Sequence, residues 1–436
     1  MIVPPPPGRA VVMPTGSRID PARHPVRDAA RQPRTAGDGA RSPGGVHRLD
    51  ALDRVRGLLM VLMALDHASY FVGNRHPLEF WGLPLPAYAA DTTGTGWLLT
   101  RLVTHVCAPG FFLLMGASLV LFAEGRRAAG WSHGRVRRYW ITRGLLLLVL
   151  QQVVENPAWL LGTLDDPTGT VVPGAGRGVL LHFGVLYGLG TAMLAGAVLL
   201  RAPTTLLALL APAAVLATAA LVPPAAAAAA PLSPLRLLLV TPGHSGPWQV
   251  FYPALPWAGV AVAGMVLGRA LHRDPARTLG RVPWVGAGLL VAFAAVRAVP
   301  GTVGTLLNVT LPPGAGWRAA LAVVKYPASP VYLLLTLGIA LVLLRLLGAV
   351  ARRRADGGAA SGPAHDPLLV FGQTALAFYL LHLYVYAALG LLLPGPHGLG
   401  ATYAAWAAGL LPLYAACRGY RGFKARQPVT SRWRLL

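Results

Sequence analysis

Long apolar runs, separated by short polar and proline-containing stretches, set the pattern of this chain. Crossing ~30 Å of hydrocarbon takes roughly 20 helical residues. Ten runs are close to that length, near residues 52–72, 97–122, 139–160, 178–200, 204–222, 250–268, 283–299, 329–348, 367–391 and 398–417. They are continuous rather than alternating, which favours helices over a β-barrel. The fifth is the weakest, because it runs into "LVPPAAAAAAPLSPL", a stretch that reads as an outer loop or a broken helix. The pattern predicts an all-α polytopic integral membrane bundle of about ten transmembrane helices.

Composition agrees with this reading and charge orients it. The chain has 436 residues, 55% hydrophobic and 12% charged, with a mean hydropathy of +0.54. A soluble globule carries about 25% charged residues. The formal net charge of +23 would suggest nucleic acid in a soluble protein. Here topology explains it, since cytoplasmic loops accumulate Lys and Arg. With the N-terminus inside, all of the 38 Lys and Arg fall on inner segments except Arg75, Arg101, Arg177, Arg236, Arg297, Arg318 and Lys325. Both termini are therefore expected in the cytoplasm. The expected organisation is a disordered basic Pro/Arg-rich tail over 1–48, a transmembrane domain over 49–417 and a second basic tail over 418–436. No apolar core precedes residue 55, so the first segment does not read as a signal peptide. No repeat of fixed period is present.

The first helix has a readable start. Asp50 can cap it, Asp53 suits its positive end, and Asp50 and Arg54 are spaced for an i, i+4 pair. Cys107 and Cys417 fall near opposite membrane faces, which argues against a disulfide. The histidines lack ligand spacing, so no metal is assigned.

Candidate chemistry comes from polar residues inside the spans, which cost ~2.5–3.5 kcal/mol at the membrane centre and usually face the bundle interior. "VLMALDHASYFVG" places Asp66 and His67 side by side in the first span. Helix neighbours point about 100° apart, so each needs a partner on another helix. The partners on offer are Arg101 and His105 in the second span, and Gln151, Gln152, Glu155 and Asn156 in the third. His182 opens the fourth, Lys325 and Tyr326 precede the eighth, and His382 lies within the ninth. Nearly all lie in the expected outer half, as a polar cavity open to the outside would require. Blander readings stand beside these. Arg101 and Glu155 could form a structural ion pair. His382 could hydrogen-bond one of Tyr379, Tyr384 and Tyr386. Lys325 could be an interfacial anchor, and His105 and His182 could be wet interfacial histidines. A histidine beside an acid serves general base catalysis or a proton relay equally well. The residues alone leave open both an enzyme and a proton-coupled small-molecule transporter with a His/carboxylate relay.

A resemblance separates the two. "RLDALDRVRGLLMVLMALDH" (Arg48–His67) resembles the opening of the heparan-α-glucosaminide N-acetyltransferase catalytic domain, within a wider group of transmembrane acyltransferases. The telling piece is Asp-x-x-Arg-Gly (Asp53, Arg56, Gly57) ahead of an apolar helix ending in Asp-His. "THVCAPGFFLLMGAS", "YPALPWAGVAVAGMVLGR", "VVKYPASPVYLLLTLG" and "FGQTALAFYLLHLYVY" follow in order, covering the chain from about residue 48 to its end. The version here is most similar to the bacterial branch. The resemblance implies transfer of an acetyl group from cytoplasmic acetyl-CoA to an amine or hydroxyl of an extracytoplasmic glycan or glycolipid, at a cell membrane. In the lysosomal branch the essential histidine sits in the loop after this helix, where this chain has His76; His67 lies within the span and is better placed as a buried base. The roles that follow are His67 as base, with Asp66, His105 and Glu155 as further catalytic candidates. Arg54, Arg56 and Arg143 would hold the CoA phosphates, and Arg101, His182, Lys325 and His382 the acceptor or oxyanion. The expected partners are the lipid bilayer and a glycan or glycolipid acceptor, with no nucleic acid and a homodimer left open.

Overall fold

The computed structural model describes residues 43–73, 79–81, 94–161, 181–223, 232–298, 316–356, 366–428, 431 and 433. Most of the expected N-terminal tail (1–42), together with Arg75, His76 and Arg177, lies outside the described residues.

The ten expected spans correspond to ten helical segments. Helix α1 is Pro43–Phe71. α2 (Thr95–Thr104) and α3 (Cys107–Ala128) form one bent rod. α4 (His133–Leu150) passes through a π-helical turn, Gln151–Glu155, into α5 (Asn156–Leu161). A short strand β1 (Leu181–Phe183) leads into α6 (Val185–Leu199), and α7 is Thr204–Leu221. The short α8 (Pro234–Leu239) precedes strands β2 (Gly243–Ser245) and β3 (Trp248–Val250). Then come α9 (Ala254–Arg273), α10 (Pro275–Ala298), the one-turn α11 (Trp317–Ala320) and α12 (Pro330–Asp356). The chain closes with α13 (Pro367–Gln373), α14 (Ala375–Leu392) and α15 (Leu399–Arg426). The fold is an all-α helical membrane bundle. Among the described residues seven helices are long and apolar enough to cross a membrane, and Val185–Leu199 is a shorter apolar helix.

The bundle shows apolar side chains on its outside as well as its inside. Val198, Leu209, Trp284 and Leu411 are each about 70% exposed or more (73%, 69%, 78% and 73%). Lipid is the solvent that suits such a surface.

Two local expectations are corrected. α1 begins at Pro43, so Asp50 lies inside the helix and does not cap it. Asp53 instead pairs with Arg56 at 2.6 Å, and Arg54 reaches Asp366, the N-cap of α13, at 3.0 Å. α15 continues through the expected start of the C-terminal tail at 418.

Two of the helical rods are interrupted near a proline, which removes a donor. Pro109 cannot donate to the carbonyl four residues back, at His105, and the α2–α3 rod bends there. The Tyr332 hydroxyl donates to that carbonyl at 2.8 Å. Ahead of Pro157 the third span widens into its π turn, and the Tyr384 hydroxyl donates to the Val154 carbonyl at 2.8 Å.

The small sheet has the order β1–β3–β2, with β1 and β3 parallel and β2 and β3 antiparallel. It holds His182 in register with Gln249 at the end of the bundle where α6 begins.

Candidate active site

Asp53, Arg56 and Gly57, the most distinctive short motif, dock one helix on another. A Cβ on Gly57 would collide with the backbone carbonyl of Leu368, and one on Gly372 with that of Asp53, so α1 and α13 touch main chain to main chain. Arg56, already paired with Asp53, donates to the Gly372 carbonyl at 3.1 Å and to the Ser118 hydroxyl at 2.9 Å. Arg54 and Arg56 thus hold α13 against α1. Arg143 donates to the Tyr139 hydroxyl at 3.4 Å, and its Nε is buried without a partner.

The polar residues of α1 face two ways, as their angular spacing requires. Asp66 accepts from Arg101 Nη1 and from the Thr104 hydroxyl, each at 2.7 Å. Arg101 also grips Glu79 with two donors, at 2.6 and 3.2 Å. The second Glu79 bond from another residue comes from His105 Nε2 at 2.8 Å. A carboxylate only accepts, so the proton of that bond sits on His105 Nε2. Glu79 is buried. Burial alone would raise its pKa, but the charges of Arg101 and His105 win and hold it well below the usual carboxylate range. Arg101 therefore pairs with Asp66 and Glu79, where the sequence suggested Glu155. Bidentate guanidinium geometry explains the choice.

His67 turns away from that network. Its Nδ1 lies 2.8 Å from Nε2 of His382 on α14. His382 Nδ1 faces the carbonyls of Tyr379 and Phe378, not a tyrosine hydroxyl. A carbonyl only accepts, so His382 carries its proton on Nδ1, and in the neutral ring Nε2 is an acceptor. Nδ1 of a neutral His67 must then be the donor. That leaves Nε2 of His67 as the basic nitrogen, set in this tautomer by a partner on another helix.

A cleft of about 800 Å³, its open mouth included, is lined by Asp66, His67, Glu155, His182 and Lys325 among the expected site residues. Trp159, Phe251, Tyr252, Tyr326 and Tyr379 form aromatic walls, and Cys107, unoxidised and buried, adds a thiol. The size and the apolar walls with few polar groups suit a small-molecule site. Arg101, His105 and His382 stand behind this lining, and Arg54, Arg56 and Arg143 do not contribute to it.

Glu155 sits at the start of α6. Its carboxylate accepts from the Leu186 amide at 3.3 Å, and the Gln151 side chain accepts from the Tyr187 amide at 3.0 Å, so the π turn caps α6. Gly184 makes room for this: a Cβ there would collide with Glu155 Oε1 and His182 Nε2. Burial pushes the His182 imidazole down to about 3, so it is neutral near pH 7. Its Nδ1 is buried without a partner.

Lys325 arrives by main-chain pairing. Its amide and that of Tyr326 donate to the Glu79 carbonyl, both at 3.0 Å, and the Trp81 amide donates to Tyr326 O at 2.9 Å. Lys325 is 4% exposed, and its ammonium lies 5.2 Å from the Tyr326 ring centroid.

A second, larger cleft lies at the other end of the bundle. The last turns of α3, α6 and α9 and the first turns of α4 and α7 line it with Arg127, Arg137, Arg201, Arg269 and Arg273, with Glu124 as the single acid. α3 carries Phe111 to the first cleft and Ala123 to the second, about 18 Å apart along its axis at ~1.5 Å per residue.

Glu79 is the site residue that sequence reading missed. Its flags are an acid set directly before Phe80 and Trp81 in the loop after the first span.

A family model described as "Heparan-alpha-glucosaminide N-acetyltransferase, catalytic" matches residues 48–298, more than half of the chain. No curated protein matches it.

Proposed function

This chain belongs to the heparan-alpha-glucosaminide N-acetyltransferase catalytic family, a membrane protein of acetyltransferase type, and from that premise we propose that it moves an acetyl group from cytoplasmic acetyl-CoA to an amine or hydroxyl of an extracytoplasmic glycan or glycolipid, at the cell membrane. The observation that carries this reading is the His67–His382 pair on the wall of an aromatic cleft.

The mechanism follows from the tautomers. Nε2 of His67 takes a proton from the neutral acceptor amine or hydroxyl as it attacks. The acceptor lone pair attacks the thioester carbonyl, a C–N or C–O bond forms, and the C–S bond breaks. The proton held on His67 goes to the leaving thiolate. His382 keeps His67 in the productive tautomer. Asp66 holds the Arg101 network against α1, and Glu155 fixes the start of α6, so both act as positioning residues. His105 is fixed by Glu79 and supports the same wall. His182 offers the acceptor a hydrogen-bonding nitrogen.

For the donor, the arginine-lined cleft fits a polyanion better than Arg54 and Arg56, which already hold carboxylates and carbonyls. Phosphate recognition favours arginine. The ~18 Å axial separation between the clefts suits an extended carrier arm reaching from one to the other. The acceptor and the lipid bilayer are the proposed partners, and a homodimer is compatible with this arrangement.

The test is a proteoliposome assay. Acetyl-CoA is placed on one side and a panel of amino sugars on the other, and acetylated sugar is read by mass spectrometry. Acetylated product that requires acetyl-CoA supports the transferase. A pH-driven flux of unmodified solute without acetyl-CoA dependence would instead establish the transporter with a His/carboxylate relay.

A further inference from the structure

The first cleft contains an ammonium without a direct hydrogen-bonded or ion-pair partner among the described residues. Lys325 is 4% exposed, and no hydrogen bond or ion pair engages its ammonium among the described residues. The acids that could answer it are committed elsewhere. Asp66 and Glu79 are taken by Arg101, Thr104 and His105. Glu155 caps α6 and accepts from the Trp159 indole. The Tyr326 ring centroid lies 5.2 Å from the ammonium and offers a π face and no full charge. A buried charge is costly unless it is paired and hydrogen-bonded.

We propose that Lys325 is the anchor for an acidic group on the acceptor, so that the acceptor class is an amino or hydroxy sugar that also bears a carboxylate or phosphate. This rests on the transferase reading of the same cleft. Three observations converge on it. The ammonium lines the same cleft as His67, so one ligand can meet both. The cleft walls are flat aromatic rings, Trp159, Phe251, Tyr252 and Tyr326, which suit the faces of a sugar ring. His182 lines the same cleft, and its buried Nδ1 has no hydrogen-bond partner. A transient oxyanion would compensate the ammonium for only a fraction of the cycle. A substrate anion compensates it for as long as the substrate is bound, and no covalent step involves Lys325.

The test uses the whole purified protein without acetyl-CoA and three probes that share one amine: glucosamine, glucosamine 6-phosphate and muramic acid. Calorimetric titration is expected to show the two acidic probes binding about tenfold or more tighter than glucosamine, as one desolvated charge pair allows. Lys325→Met is expected to bind all three alike, and Lys325→Arg to keep most of the preference. Size-exclusion chromatography of each variant checks that it is folded. Equal affinities in the natural protein, no binding of any probe, or a preference that survives in Lys325→Met would overturn the assignment. A second readout separates an oxyanion role. If Lys325→Met lowers kcat by the same factor on all three sugars and leaves the binding preference intact, the lysine serves the reaction and not the acidic group. Binding needs no turnover, so an intact, Lys325-dependent preference without CoA release would sink the transferase reading alone.

Discussion

Asp66 and His67 are sequence neighbours, yet they serve two regions built on opposite principles. Asp66 enters a saturated network in which Arg101, Thr104, Glu79 and His105 satisfy one another at 2.6–3.2 Å. His67 enters a sparser region, where the His382 imidazole sets its tautomer and the adjoining wall carries an ammonium with no direct hydrogen bond or ion pair among the described residues and a buried histidine nitrogen without a partner. Saturation holds structure, because every buried charged group in it is hydrogen-bonded. Sparseness leaves valences for ligands. The angular step of a helix is what assigns two adjacent residues to the two regions.

Several substitutions would break or sharpen that contrast. The largest effect on stability is expected from Arg101→Leu, which strands two buried carboxylates. Removing one partner of a buried pair costs about 3–5 kcal/mol, and thermal unfolding in detergent should show it. An Arg101→Leu protein as stable as the natural one would mean that the network is not structural. His382→Phe should leave stability nearly intact and lower the transfer rate about tenfold, with an altered acid limb in the pH–rate profile. In the double mutant His67→Ala/His382→Phe the second change should cost nothing further, since the two act as one unit. At the other end of the bundle, converting Arg137, Arg201 and Arg273 together to Gln should raise KM for acetyl-CoA about tenfold with little change in kcat. Steady-state kinetics at two salt concentrations would show whether the cleft or the Arg54–Arg56 pair holds the phosphates.

The smallest effect is on pH dependence. His182 is held neutral in the fold, down to about 3, while the unfolded chain protonates near 6.5. Stability from this group is complete above pH 6.5 and falls as pH drops below it, by about 1.4 kcal/mol per pH unit at most. His182→Gln should flatten that slope between pH 6.5 and 5.5. Glu79 acts in the same direction at lower pH. Its depressed carboxyl contributes stability above its unfolded value, lost only as pH falls toward the lower folded one.

The helical scaffold was legible because hydrocarbon imposes a length and composition on every span, and ten helical segments stand where ten runs were read. Membership of the cleft was partly legible. Asp66, His67, Glu155, His182 and Lys325 were all singled out as intramembrane or near-membrane polar residues, and all five line it. What pairs with what was not, because partner choice depends on register between helices. Arg101 had a plausible acid in Glu155 and found Asp66 and Glu79. His382 had three tyrosines within reach and found His67 and two carbonyls. Glu79 was passed over because a loop between apolar runs reads as solvent-facing, whereas Glu79 and Phe80 pair by main chain with Lys325 and Tyr326. Arg54 and Arg56 looked like phosphate ligands because both sit at the expected inner end of α1. The close glycine contact with α13 that gives them structural partners depends on a segment more than 300 residues away.

The most direct test of the central claim compares the natural protein with His67→Ala. Both are purified in detergent and shown to be folded, then given acetyl-CoA and a mixed panel of amino sugars, and free CoA is measured by mass spectrometry. The account predicts acceptor-dependent release that drops by about 10²–10⁴ in His67→Ala. Release that persists undiminished in the mutant would contradict it and move the base elsewhere in the cleft.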